Sequence, residues 1–233
     1  MNIDIPTILV ELNNFYFFEK MLKIVLIGDI IASRKIKDRS SVQKQLKATI
    51  RKLNKKTPNL LSPYTITLGD EFQAVFNRAD QLFDDIMSIM SALYPEQVRF
   101  SIGVGTIDTP INRQQAIGMD GPAFYLARKG IEQLKGTDYI FITNGLIENQ
   151  QDFVNHCLSL VSYHLSKWKQ SRLSVFRLVQ QGLPVSDMTK KLDLTDKAIY
   201  KTIDQGELKV VNQLLLDIEK IINTSAAQKR KSL

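Results

Sequence analysis

The segment LKIVLIGDIIAS, residues 22–33, joins an apolar run to a polar ending. Its first six residues are rich in β-branched and aliphatic side chains, which is typical of a buried strand. Gly28 and Asp29 close this run, and a glycine followed by a carboxylate at the end of a buried strand indicates a functional loop. The segment therefore predicts a core strand that ends at a loop carrying Asp29.

Strand and helix patterns alternate from this segment to about residue 143. A tight Gly69-Asp70 turn between two strand patterns predicts a hairpin. The predicted elements are strands over 22–27, 64–68, 71–76, 98–107 and 139–143, and helices over 40–53, 79–93 and 123–134. Their order predicts an α+β fold, a ferredoxin-like or split βαβ sheet with its helices on one face.

Two aspartates mark one end of the predicted sheet. Asp29 ends the first strand and Asp70 lies in the hairpin turn, and these strands are neighbours in a split βαβ sheet, so we expect the two carboxylates to meet. Paired carboxylate oxygens suit Mg²⁺ or Mn²⁺, which retain water and bind substrate phosphates. The sequence therefore predicts a metal site at Asp29 and Asp70. A plain turn is the alternative, because Gly-Asp pairs are common in turns.

A phosphate or nucleotide site is predicted around the same two aspartates. The glycine before each aspartate leaves room for a phosphate against the backbone, and an arginine on the third helix is suited to phosphate oxygens. The residues predicted to bind the phosphate or nucleotide are Gly28, Ile30, Gly69, Glu71 and Arg128.

Four segments in this region resemble nucleotidyl cyclases. GDIIAS at 28–33 resembles the first-strand aspartate motif of class III cyclases, and LGDEF at 68–72 differs by one residue from the diguanylate cyclase signature GGDEF. RFSIGVGTI at 99–107 and GPAFYLAR at 121–128 resemble the glycine-bearing cyclase strand and the helix after it. The resemblance implies a cyclase-like domain and a homodimer with its site between subunits.

The base-binding end of the cyclase pattern is missing. Cyclases place an asparagine four residues before the helix arginine, whereas this chain has Phe124 there. The first glycine of the diguanylate motif is replaced by Leu68, and no lysine and aspartate pair for adenine can be placed. The departures favour a degenerate domain that senses a nucleotide with Mg²⁺ or Mn²⁺. A divergent metal-dependent nucleotidyl cyclase or nucleotide hydrolase is the alternative.

The C-terminal part has the pattern of a helix-turn-helix. Apolar spacing predicts helices over 171–181, 185–192 and 196–205, with Pro184 opening the second and Thr195 capping the third. From Leu165 onward there are thirteen Lys and Arg against seven Asp and Glu, an excess of six. Clustered cations favour a DNA partner. The residues predicted to contact DNA are Thr195, Lys197, Ala198, Tyr200, Lys201, Lys190 and Lys191. A three-helix bundle that serves only dimerisation is the alternative.

With GDIIAS, TLGDEFQ at 67–73 and this helical tail, the chain resembles the SatD family. We divide it into an N-terminal extension over 1–20, a cyclase-like domain over 21–150, a linker helix over 151–170 and a helix-turn-helix domain over 171–233.

One cysteine, Cys157, allows no internal disulfide, and paired CxxC elements of a zinc site are absent from the sequence. No apolar stretch is long enough for a membrane span, and the N-terminal residues lack the pattern of a signal peptide.

These observations lead to one preferred function and two alternatives. The preferred one is a cytoplasmic transcriptional regulator that binds DNA through the helix-turn-helix and a nucleotide with Mg²⁺ through the cyclase-like domain. The second is the metal-dependent enzyme named above. The third keeps the fold and drops both activities, which leaves an interaction protein.

Overall fold

The computed structural model describes residues 22–67 and 70–231, with side chains up to residue 227. The predictions for residues 1–20 and for Gly69 lie outside this range. Five strands form one sheet: β1 (Lys23–Ile30), β2 (Leu60–Ile66), β3 (Glu71–Phe76), β4 (Val98–Gly105) and β5 (Phe141–Asn144). Their order is β2-β3-β1-β4-β5, antiparallel except for the parallel β4–β5 pair. The first four strands have the arrangement predicted for a split βαβ sheet.

Eight α-helices complete the described part of the chain, so the fold is mixed α and β as predicted. They are α1 (Arg39–Lys56), α2 (Leu82–Leu93), α3 (Pro122–Leu134), α4 (Glu148–Ser166), α5 (Gln170–Gln180), α6 (Val185–Leu192), α7 (Asp196–Gln205) and α8 (Leu208–Lys231). None of these helices is long and apolar enough to cross a bilayer.

The sheet is covered on both faces. Ile24 and Leu26 of β1 belong to a large core with α1, α2 and the C-terminal helices, whereas Val25 and Ile27 belong to a smaller core under α3. The expectation that all helices lie on one face is therefore wrong. The reason is visible in β1, where successive side chains point to opposite faces and both sets are apolar.

Glycines on β4 allow α3 to lie directly on the strand. A Cβ on Gly103 or Gly105 would collide with the backbone at Ala123, in the first turn of α3. Glycine in a strand interior often marks such a close approach. These glycines of β4 therefore allow the α3 backbone to approach the strand closely.

The C-terminal helices share the larger core with the sheet domain. Phe176 of α5 and Ile218 of α8 lie in the same continuous cluster as Ile86 of α2. Polar contacts join the two parts as well, because the Glu219 carboxylate accepts hydrogen bonds from the backbone N–H groups at the start of α2. The division of the chain at 151–170 stays a prediction, and one hydrophobic core crosses it.

Candidate functional site

The register of β1 places charged side chains together at its C-terminal end. Asp29 lies opposite Glu71 of β3 and opposite Arg99 of β4. Directly opposed residues in antiparallel strands point to the same face. That face is the one under α3, because Asp29 follows Val25 and Ile27 at two-residue steps and both belong to the core beneath that helix.

The hairpin turn brings Asp70 to the same end of the sheet. The backbone N–H of Ile30 donates to the Asp70 carbonyl at 3.2 Å, which extends the β1–β3 pairing into the turn. The Ser33 hydroxyl, in the short 3₁₀ turn after β1, donates to the Asp70 carboxylate. Asp29, Asp70 and Glu71 therefore converge at one end of the sheet, and we call these three residues the acidic cluster.

Two arginines face the acidic cluster. The Arg99 Nε lies 3.5 Å from Asp29 Oδ2, and Arg128 of α3 forms an ion pair with Glu71. The Arg99 Nε is buried, and its contact with Asp29 is an ion pair without hydrogen-bond geometry. A buried donor without a hydrogen bond is uncommon and has a free-energy cost of about 1–3 kcal/mol. An acceptor on a bound ligand would satisfy it.

Burial and like charges act together on Asp29. Burial raises the pKa of Asp29 above its usual value, and the nearby Asp70 and Glu71 carboxylates raise it further, while Arg99 lowers it. A cation held between carboxylates would relieve both effects, since it stabilises the charged forms.

The acidic cluster fits a divalent cation only in part. Across residues 22–67 and 70–231, no three His, Cys, Asp or Glu side chains lie close enough to hold a metal ion by themselves. Asp29 and Asp70 offer two carboxylates. Mg²⁺ is commonly held by one or two carboxylates with substrate phosphates and water in the other positions. The chemistry of these donors thus suits a cation that arrives with a phosphorylated ligand.

The SatD family model matches residues 23–214, which is most of the 233-residue chain. The chain belongs to the SatD family. The family resemblance predicted from the sequence motifs is therefore confirmed, and no curated protein matches the chain in sequence.

Solved structures show a distant likeness to this SatD family member. Two structures described as a bacterial light-regulated adenylyl cyclase match at 16% and 17% identity, with TM-scores of 0.40 and 0.39. In both cases the match covers 53% of this chain and 43% of the other one. The chain thus spans less than half the length of those structures.

Several predicted ligand contacts have other surroundings in the SatD fold. A side chain at Gly28 would overlap the Phe72 ring, which packs on the face of β1 opposite to Asp29, so core packing requires this glycine. The Ile30 N–H is already bonded to Asp70. Phe124, which stands at the cyclase asparagine position, is buried in the core under α3. The structure thus brings Asp29, Asp70, Glu71 and Arg128 together, but not Gly28.

Sequence reasoning missed two polar partners of the acidic cluster. Arg99 was noticed only as part of a strand motif, and Ser33 only as part of GDIIAS. Their roles depend on strand register and on the turn after β1, which local patterns do not encode. Arg99 is the second residue of β4, and a charged residue inside an otherwise largely apolar strand is the one sequence signal that points to it.

A cavity of about 450 Å³ opens beside the segment that follows β1. Its wall includes Ile31 and Ala32 after β1, and the C-terminus of α2 closes it at Tyr94. Lys35 and Gln45 add polar groups to the lining. Asp29, Asp70 and Glu71 of the acidic cluster do not line this cavity.

The residues predicted to contact DNA lie on α6, α7 and the turn between them. Thr195 Oγ1 accepts the Ala198 N–H at 3.2 Å, so it caps α7 as predicted. Ile199 and Ile203 are buried. Among the predicted contacts, Ala198 is half-buried and the others are exposed: Thr195, Lys197, Tyr200, Lys201, Lys190 and Lys191.

The positive charge of the C-terminal part is not concentrated on these two helices. Between Val185 and Lys209 there are five lysines against five acidic residues, so this segment is neutral overall. The whole excess of six therefore lies outside this segment, and one of its members, Arg177, is engaged with Asp84 and Ser88 of α2. An interaction with DNA through α7 would therefore depend on the placement of individual lysines.

Proposed function

We propose that this SatD family protein binds a phosphorylated ligand, with nucleotides as the first class to test, together with Mg²⁺ or Mn²⁺ at the acidic cluster. What supports the proposal is the convergence of three carboxylates and two arginines at the end of β1. Opposite charges in such proximity suit a ligand that brings both a cation and phosphate oxygens.

Each side chain has a defined part in this proposal. Asp29 and Asp70 hold the cation. Arg99, whose Nε lacks a hydrogen bond, and Arg128, which is about half exposed at 48%, turn toward phosphate oxygens once the cation occupies the carboxylates. Glu71 holds Arg128 in place before the ligand arrives. The protein then acts as a sensor whose occupied state differs in charge from its empty state.

Thermal unfolding with added ligands tests the proposal. We expect Mn²⁺ with a nucleoside triphosphate to raise the Tm of the wild-type protein by a few degrees, because a ligand that binds only the native state stabilises it. Asp29→Asn and Asp70→Asn abolish this rise, whereas Asp138→Asn, a change of an exposed carboxylate in the loop before β5, keeps it.

Two outcomes count against the ligand site. One is the absence of any rise in Tm with each common nucleotide at millimolar concentration. The other is an equal rise in Asp70→Asn and Asp138→Asn. The same samples, analysed by chromatography, test the enzyme alternative: cyclic product, pyrophosphate or inorganic phosphate that disappears in Asp70→Asn would support a cyclase or hydrolase.

A second proposed function is DNA binding by α6 and α7, acting as a helix-turn-helix in a transcriptional regulator. The observation that favours it is the turn at residues 193–195, where Asp193 adopts a left-handed conformation and Thr195 caps α7. This capped three-residue turn joins two short helices, as in DNA-binding helix-turn-helix units. Lys197 and Lys201 then lie one turn apart on the exposed side of α7.

Fluorescence anisotropy with labelled duplex DNA tests this second function. We expect binding at low salt that weakens as salt increases, with a log–log slope reduced by about 1 for each lost phosphate contact. Lys197→Ala and Lys201→Ala reduce the slope, whereas Lys55→Ala on α1 does not. No binding at low salt, or an equal effect of all three substitutions, contradicts the proposal.

A further inference from the structure

Helix α4 carries apolar side chains on two opposite sides. One side packs against β5 and α8 through Val154, Leu158, Val161 and Leu165, which are all buried. The other side exposes three large apolar residues: Phe153 is 56% exposed, Leu160 is 62% exposed and Tyr163 is 57% exposed. A single exposed apolar residue is ordinary, whereas several along one helix mark an interaction surface.

The exposed residues form one stripe. At about 100° per residue, the side chains at 153, 156, 160 and 163 fall within roughly 80° of one another, on the side opposite the buried face. The stripe runs for about 15 Å, given a rise of about 1.5 Å per residue. We call these four residues the α4 stripe: Phe153, His156, Leu160 and Tyr163.

Charge along α4 changes sign from one end to the other. Glu148 and Asp152 lie in its first half, with no lysine or arginine between them, whereas Lys167 and Lys169 follow its last turn. The Lys167 ammonium stands 3.6 Å from the centre of the Tyr163 ring, so one cation adjoins the stripe itself. Two such helices attract each other when antiparallel and repel when parallel.

We propose that the α4 stripe binds a second copy of this chain in an antiparallel, two-fold arrangement. A dyad near residue 158 sets Phe153 against the partner's Tyr163 and Leu160 against the partner's His156. It also places Lys167 level with the partner's Asn149, next to the partner's Glu148. The stripe is thus complementary to itself in apolar contacts and in charge, as a two-fold interface requires.

The site of this interface is separate from the acidic cluster. Helix α4 packs on β5 at one edge of the sheet, while the acidic cluster lies on β1 and β3. A contact of one helix pair is at the small end of protein interfaces, below about 1,200 Å² in total, which is the range of weak and transient complexes. The dimer therefore depends on protein concentration.

Sedimentation velocity over about 1–200 µM protein tests the proposal, a range suited to weak complexes. We expect the wild-type chain to shift from monomer to dimer, and Leu160→Lys to raise the dissociation constant at least tenfold. Val210→Lys is the matched control, because Val210 on α8 is also 62% exposed but lies outside the stripe. Circular dichroism verifies that both variants keep the wild-type Tm.

Disulfide formation tests the antiparallel orientation. In a Cys157→Ser background, Asn149→Cys and Lys167→Cys are placed on separate chains. We expect mixed 149–167 disulfides when the two proteins are combined, and few 149–149 disulfides. A chain that stays monomeric at the highest concentration overturns the proposal. So does an equal effect of Leu160→Lys and Val210→Lys, or a predominance of 149–149 disulfides.

Discussion

At Gly28 the β1 backbone and the Phe72 ring lie in contact because no Cβ stands between them. The ring is fully buried and lies against the rings of Tyr64 and Phe100, at centroid distances of 6.4 and 6.1 Å. It therefore has little freedom to move. A glycine that the sequence suggested for a phosphate has its packing role on the opposite face of the strand.

Gly28→Ala tests this role. We expect the free energy of unfolding to fall by about 1–3 kcal/mol, because the added methyl overpacks the core. In a Phe72→Leu background the same methyl should cost less, since the smaller side chain leaves room. Urea unfolding of the four proteins in this double-mutant cycle gives the coupling. Strictly additive costs, or a loss of ligand response without a loss of stability, contradict the packing role.

Helix α2 receives its N-terminal cap from a distant helix. Glu219 of α8 accepts the N–H groups of Phe83 at 2.9 Å and Gln81 at 3.2 Å, and Gln81 is in a left-handed conformation without a side-chain cap of its own. Burial raises the pKa of Glu219 to about 7, while these two N–H groups lower it and Asp80 and Asp84 raise it. The Glu219 carboxylate thus links the C-terminal helices to the sheet domain.

This contact predicts a pH dependence of stability. The pKa of Glu219 in the folded protein, about 7, lies above its ordinary value of 4.5, so folding favours the protonated form. Its contribution is complete below about pH 4.5 and is lost as pH rises through about 7. Asp85, with a pKa raised to about 6 by burial, adds a similar loss at lower pH. The free energy of unfolding should therefore fall between pH 5 and pH 8.

The substitution Glu219→Gln separates the contribution of Glu219 to the pH dependence from that of Asp85. It should flatten the pH profile between about pH 6 and 8 and lower stability by about 1–2 kcal/mol, because one acceptor oxygen is replaced by a donor. Asp217→Asn, a change of a half-exposed carboxylate on the same helix, should leave this part of the profile unchanged. Urea unfolding at half-unit pH intervals makes the comparison. A Glu219→Gln profile as steep as that of the wild type would show that Glu219 does not titrate in this range.

Helices whose starts are marked by a proline or a capping residue were predicted well. The predicted bounds of α6 and α7 coincide with the observed ones, because Pro184 and Thr195 mark the two starts. Helix α4 begins at Glu148, three residues before the start of the linker helix predicted over 151–170, and Ile147 before it has no capping side chain. The contact between Arg99 and Asp29 depends on the register of two strands far apart in sequence, so no local pattern could have revealed it.

At the scale of the whole molecule, one hydrophobic core extends from β1 to α8. The sequence divides the chain near residue 170, by a change of pattern and of charge. Contacts cross that division in both directions: Arg177 of α5 donates to the Asp84 carbonyl of α2 at 2.9 Å, and Asn223 of α8 accepts the Ala79 N–H at 2.8 Å. Few contacts cross the boundary between independent domains, whereas here one continuous cluster of buried residues crosses it.

Unfolding of the intact chain measures how far the two parts depend on each other. Trp168, the single tryptophan, is buried at the α4–α5 junction with its ring centre 5.0 Å from that of Phe176, so its fluorescence reports the junction. Far-UV circular dichroism reports all helices together. Because one core joins them, we expect both signals to change at the same urea concentration, as in a two-state transition. Arg177→Met should lower both midpoints equally. Two separated transitions would show that the helices after residue 170 unfold on their own, and the shared core would then be too weak to couple the ligand site to α7.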